Sequence, residues 1–160
     1  MCYMFYIAAN RTLPTVHQIE RYPDLTVSEA RKDVARKIRS RIHASHIYYA
    51  ASWQGCSCGF CYEDRDELET TLTQIPDETV RTTGRTDWQA GYNSVTSLAR
   101  YLADNLVHGP FYLYVAWAGY EGKPIKAEVT IVPTYFGGRS FSTPNEDTLF
   151  TVVPEEPAVN

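Results

Sequence analysis

At 160 residues, 44% hydrophobic and 21% charged, the chain can bury a real core without a disulfide or metal, and it is too apolar for a disordered segment. A net charge of −4 argues against a whole-molecule field that draws in nucleic acid or an anionic membrane. No run is apolar for long enough to span a bilayer as a helix.

The opening run, Cys2 to Ala9, is apolar and aromatic and lacks the basic start of a secretory signal, so it is expected to form a buried first strand. The expected compartment is then the reducing cytoplasm, where the four cysteines serve as thiols or metal ligands rather than disulfides. Residues 15–26 show no period and read as loop. Thr26-Val27-Ser28-Glu29 has the spacing of a capping box, and a helix is expected to follow to about Ile42, with Ala30, Val34, Ile38 and Ile42 recurring every fourth residue. His46 to Trp53 reads as a second strand. Arg65 to Gln74 reads as a short helix ended by Pro76, and Asp77 to Asp87 as a loop. The best helical pattern runs from 88 to 107, stopped by His108-Gly109-Pro110. Strands are expected over Phe111–Ala118, Ile125–Val132 and Thr148–Val153, followed by a frayed tail at 154–160. This order predicts one α+β domain over residues 1–160, with a mostly antiparallel sheet and two main helices on one face.

The chemistry concentrates at Gly55-Cys56-Ser57-Cys58-Gly59-Phe60-Cys61, three thiols in six residues flanked by glycines. The plainest reading is a tight loop that uses small thiols for packing. A metal reading places Zn²⁺ on Cys56, Cys58, Cys61 and either Cys2 or a histidine, His43 and His46 being nearest in sequence. In a thiol-chemistry reading, Cys58-Gly59-Phe60-Cys61 has the Cys-x-x-Cys spacing that lowers a thiol pKa and closes a reversible disulfide. Cys2 as an N-terminal nucleophile after methionine removal fits poorly, because the chain is short for the fold of that class.

Six cations, Arg31, Lys32, Arg36, Lys37, Arg39 and Arg41, crowd the first helix. Asp33 and Glu29 dilute them, so a solvated outer face is preferred to a phosphate-binding one. No phosphate loop, nucleophile elbow or carboxylate-rich metal loop is present.

Several of these segments together resemble a small, functionally uncharacterised bacterial family. They are the Met1-Cys2 opening, the step from Asn10 to Leu13-Pro14, Tyr48-Tyr49 with Gly55-Cys56-Ser57-Cys58-Gly59-Phe60, and Leu113-Tyr114-Val115-Ala116-Trp117-Ala118-Gly119. The chain departs from that pattern in carrying Trp53 and in adding Cys61. The resemblance implies a cytoplasmic bacterial or phage-borne protein and brings no activity with it.

The expected function is therefore a non-catalytic binding or interaction protein, with a protein partner or a second copy as candidate partners. Its cysteine turn is structural, with zinc as the candidate cofactor on Cys2, Cys56, Cys58 and Cys61. The alternative is a thiol-dependent enzyme or redox sensor using Cys56 or Cys58. The first is preferred because no base or oxyanion donor accompanies a nucleophile.

Overall fold

A computed structural model describes residues 2–60, 64–137 and 147–155. Strand β1 (Tyr3–Ala9) is buried from Phe5 to Ala9 without a break. A strand of that kind has apolar side chains on both faces and needs a layer on each. It lies inside the sheet, antiparallel to β4 (His46–Ala51) on one side and to β5 (Phe111–Trp117) on the other. With β2 (Val16–His17), β3 (Thr26–Glu29), β6 (Ala127–Ile131) and β7 (Thr148–Val152), the described residues form one sheet of order β2-β3-β4-β1-β5-β7-β6. The α+β class and the mostly antiparallel sheet expected from the sequence are both present. The β6–β7 pair is the exception, being parallel at the sheet edge, so the final strands are not a simple meander.

The two main helices divide between the faces, and this corrects the expectation that they share one. Helix α3 (Glu78–Asn105) covers the face carrying Phe5 and Ile7, packing Val95, Leu98, Tyr101 and Leu102 against Leu113, Val115 and Phe150. Helix α1 (Lys32–Arg39) covers the opposite face, where Ala35, Ile38 and the following Ile42 meet Tyr6, Ala8, Ile47 and Tyr114. The alternation of β1 dictates this arrangement, since Phe5 and Ile7 point one way while Tyr6 and Ala8 point the other.

Two local expectations also give way to tertiary pairing. Thr26 to Glu29 is strand β3, not a capping box: Val27 is fully buried opposite Ala50, and the Ala30 N–H donates to the Ile47 carbonyl. Helix α1 starts after Arg31 with no side-chain cap. The stretch expected as a loop, 77–87, is the first part of α3. Asp77 accepts from the N–H groups of Thr79 and Val80, and Arg85 pairs with Glu69 of α2 (Arg65–Thr73) at 2.9 Å. Of the expected frayed tail, only Pro154 and Glu155 lie within the described residues, both exposed. No helix among the described residues is long and apolar enough to cross a membrane.

Candidate metal centre

The cysteine turn begins where β4 ends. Gly55 takes φ +74°, a conformation that favours glycine, and its N–H donates to the Ser52 carbonyl at 2.9 Å. The Ser52 N–H and hydroxyl both donate to the Cys56 carbonyl, at 2.9 and 2.6 Å, closing the turn on itself. A single 3₁₀ turn follows over Ser57–Phe60.

Ser57 sets where this turn lies. Its buried hydroxyl accepts from the Phe5 N–H at 2.9 Å and donates to the Ala50 carbonyl at 2.6 Å. It thus bridges two backbone groups of strands β1 and β4 and ties the turn to both. Phe60 is the second anchor, fully buried and stacked on Phe5 with ring centroids 5.1 Å apart.

Gly59 is needed for space rather than for backbone freedom. A Cβ there would meet Ser52 Oγ and lie 2.8 Å from Trp53 Nε1 and 3.0 Å from Ser52 Cβ. Gly59→Ala is therefore expected to destabilise the protein by about 1–3 kcal/mol, the usual cost of overpacking a tight site. Urea denaturation checks this, and an unchanged midpoint would show that Ser52 yields freely.

These anchors bring the turn back onto the start of β1. The sulfurs of Cys2, Cys56 and Cys58 all lie within 4.8 Å of one another. Cys2 is exposed, Cys56 and Cys58 are half-buried, and all three are unbridged. The Cys2 backbone is held by its carbonyl, which accepts from the Ala118 N–H at 2.9 Å. Of the four thiols the sequence offered, three are thus brought together, and Cys61 lies outside the described residues.

His43 and His46 are not brought there. His46 pairs with Ala9, at the other end of β1 from Cys2. Seven residues of strand separate the two ends, roughly 23 Å at about 3.3 Å per residue. His43 precedes His46 and is exposed.

The thiol of Cys58 is pushed up to about 12. Burial is the largest cause, followed by hydrogen bonding with Cys56 and Cys2 and by the charge of Cys56. None of these influences is a cation. With no positive charge among these causes, the Cys58 thiol keeps its proton and makes a poor nucleophile. A divalent cation reverses that balance, because thiolates bind it as anions. The phenol of Tyr49, lying against Ser57 and the half-buried thiols, is also raised, chiefly by burial.

The spacing also suits a metal. On a tetrahedral zinc with bonds of ~2.3 Å, sulfurs sit roughly 3.5–4 Å apart, inside the 4.8 Å within which these three lie.

Ser57 and Ser52 are the residues that sequence reasoning missed. No motif marks a serine between two cysteines as a strand bridge, since that role depends on which strands become neighbours. Four of the six cations on and beside α1 have partners within the fold. Arg31 pairs with Asp33, Lys37 faces Glu121, and Arg39 and Arg41 donate to the carbonyls of Ser45 and Gly122.

Fold and site together define an α+β protein built on a single sheet, with a three-thiol cluster where the second long strand turns back on the first. No family model, curated protein or solved structure matches the chain.

Proposed function

We propose that this is a binding or interaction protein of the reducing cytoplasm, not an enzyme, and that a zinc ion on Cys2, Cys56 and Cys58 holds its cysteine turn. The observation that carries the proposal is the approach of three sulfurs from two distant parts of the chain to within 4.8 Å of one another. It is supported by the Cys58 thiol, which is raised where a redox or nucleophilic cysteine would be lowered. A zinc ion there would join the start of β1 to the turn after β4 and fix the edge of the molecule that carries Trp117 and Tyr3, stacked at 4.0 Å. No residue is given a catalytic role.

Metal analysis of the purified protein tests this. The expected result is about one zinc per chain in the wild type, as a single shared site requires, and none in Cys58→Ser. Cys61→Ser identifies the fourth corner: loss of zinc adds Cys61 to the set, and retention leaves a water there. In the metal-free protein, Cys58 should alkylate slowly with iodoacetamide at neutral pH. Fast alkylation with no bound zinc would overturn the proposal in favour of thiol chemistry.

A further inference from the structure

On the α1 face of the sheet, a cavity of about 450 Å³ opens between α1, β1, β4 and the loop after β5. At its side stands Glu121, whose side chain is only 6% exposed. Its Oε1 accepts from the Gly119 N–H at 3.0 Å and from the Tyr6 hydroxyl at 3.3 Å. The charged group facing Oε2 is Lys37, with Nζ 3.9 Å away on a side chain 48% exposed. That separation exceeds a hydrogen bond, so the buried carboxylate is held in place on one oxygen and only loosely neutralised on the other.

The walls beside it are aromatic. The rings of Tyr6 and Tyr49 lie 5.8 Å apart and tilted by 48°. The Tyr6 phenol is raised, chiefly by burial, and stays neutral at physiological pH. Neutral aromatic rings attract a cation through their faces. Charge on the lining points the same way: Arg31 and Asp33 pair at 2.9 Å, leaving Glu29 and Glu121 against Lys37. Met4 and Val34 supply apolar wall for a short tail.

We propose that this cavity binds a small organic cation, a primary ammonium or guanidinium on a short apolar tail, with its charge on Glu121 and its body against Tyr6 and Tyr49. The proposal rests on the reading of the chain as a binding protein and gives it a ligand class, but it uses none of the thiols. Lys37 then acts as an internal stand-in that the ligand displaces.

The test is a titration of the full chain as purified, followed by two-dimensional NMR, with butylammonium and butylguanidinium as probes and butyrate as the matched anion. The expected result is saturable shifts at Gly119, Tyr6 and Tyr49 with both cations and none with butyrate. Glu121→Gln should weaken the cations about tenfold or more, as loss of a charged hydrogen bond requires. Lys37→Met should tighten them by about threefold, because it removes the competing ammonium. The Lys37 variant, whose folding the same NMR spectra check, decides the matter even if Glu121→Gln fails to fold, since the Lys37 side chain is 48% exposed. Binding of butyrate, no binding of either cation, or weaker cation binding in Lys37→Met would each overturn the proposal. Zinc content is measured on the same samples, so loss of cation binding with zinc retained sinks this inference alone.

Discussion

Phe60→Ala is expected to cost about 3–5 kcal/mol, the range for truncating a fully buried aromatic. Small domains are stable by only about 5–15 kcal/mol, so this single change should remove a large share of the total. The side chain is fully buried and stacks on Phe5 at an interplanar angle of 17°. It belongs to the core on the α3 side of the sheet, together with Val95 and Leu98. The turn has little else to hold it in the core, since of its four residues only Ser57 and Phe60 reach inward with a side chain. On the zinc site proposed above, the variant should lose metal as well as stability, because Cys56 and Cys58 depend on the turn for their approach to Cys2. Urea denaturation and metal analysis of one sample read both effects. Phe60→Leu keeps an apolar group in the site and should cost less and retain zinc. A loss below about 1 kcal/mol in Phe60→Ala, with zinc retained, would show that the Ser57 bridge alone positions the turn.

What could be seen in the sequence was whatever short-range pattern decides. The unbroken apolar run of β1 announced a buried strand. The pattern ending in His108-Gly109-Pro110 located the C-terminal end of α3. What could not be seen was decided by partners far away in the chain. Thr26 and Glu29 have the right spacing for a helix cap, but Val27 gains more by entering the core beside Ala50 than the box gains by closing. The start of α3 looked like a loop because its faces are polar, yet Asp77 caps it and Glu69 pairs with Arg85. The same logic separates the helices. A period within α1 shows that it has one apolar stripe, but not which face of β1 that stripe covers. At the site, the density of thiols was visible, and so was the idea that Cys2 could meet them, because that needed only the two strands to be neighbours. The distance of His43 and His46 followed from register, which the sequence alone does not specify. Glu121 sits in a short glycine-bounded loop that carries no motif, and its burial depends on Tyr6 reaching it from β1.

If zinc occupies the proposed site, the pH dependence of stability changes sign with the metal, and the thiol of Cys58 is the reason. Its pKa in the folded, metal-free chain stands near 12 against an ordinary value of 9.0. The folded state therefore holds this proton more tightly than the unfolded state does. The resulting stabilisation is fully present below pH 9 and is lost as pH rises from about 9 through about 12. Chelator-treated protein should accordingly unfold at progressively lower urea concentration over that window. Tyr6 and Tyr101, both raised by burial, push in the same direction, so the share due to Cys58 is the difference between wild type and Cys58→Ser. With zinc bound, the thiolate is the favoured form and the dependence reverses. Zinc must displace the Cys58 proton at every pH below about 12, so that residue alone makes the apparent zinc affinity rise about tenfold per pH unit. Between pH 6 and 8 this amounts to about a hundredfold from one thiol. A competition titration against a chromogenic chelator at three pH values measures it. An affinity flat across pH 6–8 would mean that the Cys58 proton is already gone before metal arrives. The cluster would then be a set of activated thiols, and the structural role assigned to it would fall.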